Sequence, residues 1–249
     1  MWKMNDIHMH IIPDVDDGAW NQEMAEIMIY KAYFQGINKV IATPHSSAYE
    51  TEEDREKVLK NFESLSKWTE EKLPDFKLYQ GSEIYCSEYG IQNMIKKIKE
   101  GLLPMMNGTK YVLAEFSTHV NPTEVFACIE QFIKNEYVPI IAHVERCKYL
   151  FSENNTEGDK TDYLKQLKEQ GCLFQINVYS VYEETNDTIR ENANTLLAQK
   201  MVDFLGSDAH RTFHRPPSVE KGLAFMYDHY EAEYVDEIAY KNAEKYLLI

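Results

Sequence analysis

Seven short runs of β-branched or apolar residues, separated by longer stretches of helical periodicity, constrain this chain more than any other feature. The runs are Asp6–Ile12, Lys39–Thr43, Lys77–Glu83, Tyr111–Phe116, Val138–His143, Cys172–Val178 and Val202–Ser207. Each is bounded by turn residues or by a helical pattern, as buried strands are. Among the helical stretches, Asn21–Gln35 sets Met24, Ile27, Met28 and Ala32 on one face. Thr51–Leu73 opens on a capping Thr51 and an acidic first turn, Glu52 to Asp54. Helical patterns also cover Ser87–Glu100, Pro122–Asn135, Thr161–Gln170, Thr188–Lys200, Val219–Tyr230 and Val235–Leu248. Strands that alternate with helices imply a parallel sheet with right-handed crossovers. Seven such units without a break, in 249 residues, predict an α/β fold with one domain over residues 1–249, closed or nearly closed into a barrel. The alternative, an open doubly wound sheet, would bring a glycine-rich phosphate loop after the first strand, where His8 and His10 stand instead.

Acidic residues number 41 against 26 basic ones, a net charge of −15 that disfavours a nucleic-acid partner. The hydrophobic share, 44%, is enough for a packed core. Cys86, Cys128, Cys147 and Cys172 form no CxxC pair, and no signal peptide precedes them, so the expectation is four reduced thiols in a cytoplasmic protein. No apolar run is long enough for membrane insertion. The polar stretch Ser152–Lys160, with Asn-Asn and Gly, reads as the most flexible loop.

Ionisable residues gather where the strands end: His8 and His10, His45, Glu83, Glu115, His143 with Glu145 and Arg146 after it, then Asp208 and His210. In a β/α barrel those ends form the active-site face. Residues two apart on a strand point the same way, about 6.6 Å apart along it, so His8 with His10 and Asp208 with His210 converge on neighbouring points. Imidazole with carboxylate suits zinc, manganese or iron. Against this, a lone buried histidine is more often a satisfied core residue, and an acid at a strand end commonly caps a helix. Glu83 and Glu115 weigh more heavily, because both follow apolar runs and an unpaired buried carboxylate is costly.

Taken in order, the motifs resemble those of the PHP (polymerase and histidinol phosphatase) family, and within it the bacterial tyrosine phosphatases of capsule and exopolysaccharide operons. They are Asp6-Ile7-His8-Met9-His10 with Asp14-Val15-Asp16-Asp17-Gly18, Ala42-Thr43-Pro44-His45, Gly81-Ser82-Glu83-Ile84, Ala142-His143-Val144-Glu145-Arg146 and Gly206-Ser207-Asp208-Ala209-His210. The resemblance implies a distorted, TIM-like (β/α)7 barrel holding three divalent ions, manganese by preference, with iron or zinc as alternatives. It gives His8, His10, Glu83 and Asp208 to one ion, Asp17, His45 and His210 to a second, and Glu83, Glu115 and His143 to a third. Asp16 is the rival of Asp17. Arg146 and Arg215 would bind phosphate and stabilise the transition state, with Arg211 the rival of Arg215.

The activity implied is hydrolysis of phosphotyrosine by a metal-bridged hydroxide, since bound metal lowers the pKa of water to about 7. The substrate implied is a phosphotyrosine protein, the tail of a bacterial tyrosine kinase that regulates capsule or exopolysaccharide synthesis. The alternative is a small-molecule phosphoesterase of the same family, such as histidinol phosphatase. A nuclease fits poorly with the −15 charge, and a binding protein that has lost catalysis fits poorly with a complete ligand set. None of the cysteines lies in a Cys-x5-Arg nucleophile loop. His119 and His214 are outside candidates for the site mouth. The chain departs from the family at Val144, where proline is usual, and at Gln175–Glu184, with Tyr179 and Tyr182, where small residues are usual.

Overall fold

The computed structural model describes residues 2–151, 160–182 and 185–248, and a strand forms at each of the seven expected positions. They are β1 (Met4–Met9), β2 (Ile37–Ala42) continued by β3 (His45–Ser46), β4 (Lys77–Gln80) continued by β5 (Glu83–Tyr85), β6 (Tyr111–Glu115), β7 (Val138–Ile141), β8 (Leu173–Asn177) and β9 (Phe204–Gly206). All pairs are parallel, in the orders β1-β2-β4 and β3-β5-β6-β7-β8-β9. The break between β2 and β3 falls at Pro44, which has no N–H to give to a ladder. Backbone bonds still carry the sheet across it: Gly81 N donates to Ala42 O (2.9 Å) and Glu83 N to Pro44 O (3.1 Å). The ring closes where Asp208 N donates to His8 O (2.8 Å) and His10 N to Ala209 O (2.9 Å). The result is a TIM-like (β/α) barrel, as expected.

The helices are α1 (Gln22–Phe34), α2 (Glu52–Lys72), α3 (Ile91–Lys99), α4 (Pro122–Lys134), α5 (Asp162–Glu169), α6 (Asp187–Ala198), α7 (Glu220–His229), α8 (Ala232–Asp236) and α9 (Asn242–Tyr246). Thr51 caps α2 in a reciprocal box with Asp54. Asn121 caps α4, with Pro122 in its first turn. Two helices differ from expectation. Ser87–Gly90 makes a turn instead of opening α3, its Ser87 hydroxyl accepting from Gly90 N. The last expected helix is split by a π turn over Glu237–Lys241, where Asn5 donates to the Tyr240 carbonyl (3.1 Å). The expected loop Ser152–Lys160 lies outside the described residues except for Lys160.

Alternation along the strands sorts their side chains into two layers. Outward residues such as Val40, Val112, Ile141, Phe174 and Leu205 pack against Met28, Phe132, Leu164, Leu196 and Leu223 of the helices. Inward residues Ile7, Ile41, Leu113, Ile140 and Phe204 form a second apolar cluster with Met106, Ala243 and Leu247. Beyond that inner layer the same faces turn polar: Glu115 follows Leu113 by two, and Asp208 follows Phe204 by four. On β1 one extra residue between Asp6 and Met9, relative to β2, lets adjacent residues Ile7 and His8 serve the apolar layer and the polar rim. The four cysteines are free and buried. Burial pushes the Cys128, Cys147 and Cys172 thiols up to about 12.

Candidate metal centre

The polar rim brings every expected ligand into one cluster. The imidazoles of His8 and His10 enter from β1, both fully buried. His8 Nδ1 donates to Gln175 Oε1 (3.0 Å), and His10 Nδ1 donates to Asp16 Oδ2 (2.7 Å). Both rings therefore turn Nε2 to the centre, where the two atoms stand 3.2 Å apart. His8 Nε2 lies 3.2 Å from Glu83 Oε1, and His10 Nε2 lies 3.1 Å from Glu83 Oε2. Asp208 Oδ1 is 3.6 Å from each. From the other strand ends, His143 Nε2 reaches Glu83 Oε1 (2.9 Å) and His45 Nδ1 reaches Glu83 Oε2 (3.0 Å). Glu115 Oε2 is 3.6 Å from the same His45 atom. His210 donates Nδ1 to the Asp208 carbonyl (3.0 Å) and faces Asp17 Oδ1 with Nε2 (3.3 Å).

The two rival aspartates separate cleanly. Asp16 is buried, its side chain 4% exposed, and accepts from His10, Gly18 N (2.9 Å) and His45 N (3.0 Å). Asp17 is 61% exposed and faces both His45 and His210. Asp16 thus orients two histidines from behind, and Asp17 is the one that groups with them. Donor atoms close enough to share an ion fall into three sets: His10, Asp17, His45 and His210; His8, His10 and Glu83; His45, Glu83 and Glu115. His10 and His45 each belong to two sets, whereas the family partition gave each to one ion.

The donor chemistry fits divalent cations. With both Nδ1 atoms committed as donors, the facing Nε2 atoms of His8 and His10 need a proton or a cation between them. His143 Nδ1 is buried without a hydrogen-bond partner among the described residues. In the chain alone, protons fill the need. Burial opposes charge on His10, but bonds to Asp16 and Glu83 outweigh it and raise its pKa to about 10. Burial likewise opposes ionisation of Glu83, and His8, His10, His143 and His45 together hold it well below the usual range. His210 goes the other way, down to about 3, through burial, His10 and Arg215. Glu115 is raised by burial and by Glu83.

Three of the seven described non-glycine residues with positive φ belong to this cluster. His143, Asp208 and Arg215 all have left-handed backbones, with φ of 32°, 52° and 54°, at about 1–3 kcal/mol each. Gly206 precedes this region because a Cβ there would stand 2.7 Å from the His8 Cβ and 2.8 Å from Gln175 Nε2.

Both expected arginines reach Asp208. Arg146 Nη1 donates to Asp208 Oδ2 (3.2 Å), and Arg215 Nη2 pairs with the same oxygen. A loop closed by His210 N donating to Arg215 O (2.9 Å) folds Arg215 back over His210, to which its Nη1 donates (3.0 Å). Arg211 instead donates to the Asp17 carbonyl (3.2 Å) and lies over Trp20, 4.4 Å from its ring centre. His119 and His214 are exposed and join none of the donor sets.

β8 contributes no expected ligand, yet its two inward polar residues hold three of them. Gln175 Oε1 accepts from His8 and from His143 N (2.9 Å), while its Nε2 donates to Asn177 Oδ1 (2.9 Å). Asn177 Nδ2 donates to Asp208 Oδ2 (2.9 Å). Buried Glu145 accepts from Asn177 N (3.0 Å) and Ser180 Oγ (2.6 Å), which ties the loop after β7 to the loop after β8. The sequence signal for this pair was visible: Gln and Asn alternate with Phe174 and Ile176 in an otherwise apolar strand.

Comparison with known proteins gives a consistent result. The family described as capsular polysaccharide synthesis, CpsB/CapC, matches residues 4–248. The tyrosine-protein phosphatase CpsB of Streptococcus pneumoniae is 28% identical over 250 residues, covering 98% of each chain. The tyrosine-protein phosphatase YwqE of Bacillus subtilis (strain 168) is 29% identical over 245 residues, covering 97% of this chain and 90% of its own. A crystal structure from work on B. subtilis YwqE and S. pneumoniae CpsB, described as unique metal-dependent tyrosine phosphatases, superposes with a TM-score of 0.83 at 27% identity, covering 98% of this chain and 94% of that one.

Proposed function

Since the chain belongs to the CpsB/CapC capsular polysaccharide synthesis family, we infer that it is a metal-dependent protein-tyrosine phosphatase. One observation carries the reading to this chain's own residues: two guanidinium groups, Arg146 and Arg215, meet on Asp208 in a cluster of five imidazoles and four carboxylates that is buried at its centre and open to solvent at Asp17 and His45. His8, His10, Asp17, His45, Glu83, Glu115, His143, Asp208 and His210 would hold three divalent ions, manganese first, with Glu83 central to the set. Such ions supply Lewis acidity and a nucleophile at neutral pH when bound.

The remaining work falls to the chain. Arg146 and Arg215 bind the phosphate oxygens and neutralise the charge that grows on them in the transition state. Arg215 Nε is buried without a partner among the described residues, a donor left for such an oxygen. Gln175 and Asp16 keep the His8 and His10 tautomers fixed, and Asn177 fixes the Asp208 carboxylate. A phenolate is a tolerable leaving group, so no strong acid is required. No thiol takes part, since all four cysteines are buried and burial raises their pKa values, which keeps them protonated at neutral pH.

The substrate we assign is a phosphotyrosine protein, the tail of a bacterial tyrosine kinase in capsule or exopolysaccharide synthesis. The four free cysteines suit a cytoplasmic setting, and among the described residues no helix is long and apolar enough to cross a membrane. The test is to strip the protein with a chelator, restore manganese, and compare a phosphotyrosine peptide with histidinol phosphate, alongside Arg146→Ala and Arg215→Ala. Manganese-restored hydrolysis of the peptide, lost in both variants, is the expected result. Hydrolysis of histidinol phosphate alone would move the assignment to a small-molecule phosphoesterase, and failure to bind metal would overturn it.

A further inference from the structure

Tyr179 stands at the edge of the site with its hydroxyl already held by the network that positions the ligands. It follows β8 in a short turn over Val178–Val181. That turn is anchored on both sides: Ser180 Oγ donates to Glu145 Oε1 (2.6 Å), and Thr185 Oγ1 donates to the Tyr179 carbonyl (2.5 Å). The half-buried Tyr179 accepts from Asn177 Nδ2 (3.2 Å) at its hydroxyl oxygen. The same Asn177 nitrogen donates to Asp208 Oδ2, the oxygen on which Arg146 and Arg215 converge. Asn177 therefore ties the phenol to the spot where the phosphate would lie. Because the phenol oxygen is occupied as an acceptor, its own O–H has no role in that bond and remains a donor.

We propose that Tyr179 is a third phosphate-binding group of this site, its hydroxyl donating to a non-bridging phosphoryl oxygen beside Arg146 and Arg215. The proposal rests on the phosphatase reading above. A hydrogen bond to a charged oxygen is stronger than one between neutral groups. Burial and the Asp208 carboxylate raise the Tyr179 pKa, which keeps the group a protonated donor at neutral pH. The shared Asn177 nitrogen sets the hydroxyl beside Asp208 Oδ2, where the two arginines converge, so the role assigned is binding of the phosphoryl group. Burial opposes charge on Arg146, yet Tyr179 and Asp208 beside it raise its pKa, which agrees with the phenol lying next to that guanidinium. The residue touches substrate in this scheme, and Asn177 acts through it as a positioning residue.

The experiment uses Tyr179→Phe in the full chain, loaded with manganese, with thermal melting and metal stoichiometry as controls for folding. The ring stays, so stacking on an aromatic substrate is preserved and only the hydroxyl is removed. Two readouts are taken: calorimetric affinity for inorganic phosphate, and kcat/KM across aryl phosphates whose leaving groups differ in pKa. The expected result is weaker phosphate binding and a fall in kcat/KM of on the order of tenfold, the same for every leaving group. A loss that grows with leaving-group pKa would overturn the binding role in favour of proton donation. Unchanged phosphate affinity and unchanged kcat/KM would overturn the proposal outright. If the wild-type protein hydrolyses no aryl phosphate, the phosphatase reading falls, and Tyr179 is judged on phosphate affinity alone: weakened by Tyr179→Phe it stands, unchanged it falls.

Discussion

The two ends of the barrel interior are built from the same strands, one to four residues apart, and they solve opposite problems. At one end Ile7, Ile41, Leu113, Ile140 and Phe204 fill the space with apolar side chains, closed by Met106, Ala243 and Leu247. At the other end His8, Glu83 and Asp208 are just as buried but polar, with ring nitrogens and carboxylate oxygens about 3 Å apart. The first end is satisfied by its own contacts. The second is satisfied only when protons or cations sit among its donors. Burial is the same at both ends, so burial alone does not mark a core. What separates stabilising from functional interior is whether the buried atoms can complete their bonding within the chain.

That contrast can be broken by substitution at either end. Glu83→Gln removes the carboxylate common to two donor sets, and should abolish metal retention and lower kcat by on the order of a thousandfold. Metal content per chain and turnover on a phosphotyrosine peptide check it. Phe204→Ala at the apolar end should do the converse. It is expected to cost about 3–5 kcal/mol of stability, read from urea unfolding, while the folded fraction keeps its metal content. A third variant, Asp16→Asn, tests the outer support of the polar end. Its loss should weaken manganese affinity by about 10–100-fold, with kcat restored at saturating metal.

A further effect is expected on pH. His10 has a folded pKa raised to about 10 in the chain alone, above the ordinary value of about 6.5. A raised imidazole pKa contributes stability that is full below the unfolded value and is lost as pH rises through the folded one. The stripped protein should therefore lose stability between about pH 6.5 and 10. Manganese-loaded protein should be flatter over that window, because ions replace the protons. Melting temperatures of the two forms across the window decide it. Equal slopes would mean that cations and protons do not compete for these nitrogens.

Much of this was legible in the sequence, for identifiable reasons. The seven strands showed because each is a short apolar run between longer amphipathic stretches. The donor cluster showed because Glu83 and Glu115 end apolar runs, where a carboxylate needs a partner. Other features could not show. Pro44 stands in plain view, but whether the sheet survives it depends on Gly81 and Glu83 donating across the gap from a neighbouring strand. The division of labour between Asp16 and Asp17 depends on which one the His10 ring turns towards. Sharing of His10 and His45 between donor sets arises from strands that are neighbours only after the barrel closes. The π turn in the C-terminal helix takes a bond from Asn5, more than two hundred residues away in the chain.

The buried cysteines carry a consequence of their own. Thiol-dependent phosphatases expose a thiolate to attack phosphorus, and the same thiolate is open to peroxide and to alkylating reagents. Here burial keeps Cys86 well above its ordinary pKa and Cys128, Cys147 and Cys172 at about 12, so at neutral pH essentially no thiolate forms. Oxidants that silence a thiol-dependent enzyme find no exposed cysteine thiolate on this one, and iodoacetamide should leave its turnover intact. Turnover on a phosphotyrosine peptide should therefore persist at peroxide concentrations that inactivate a thiol-dependent phosphatase assayed beside it.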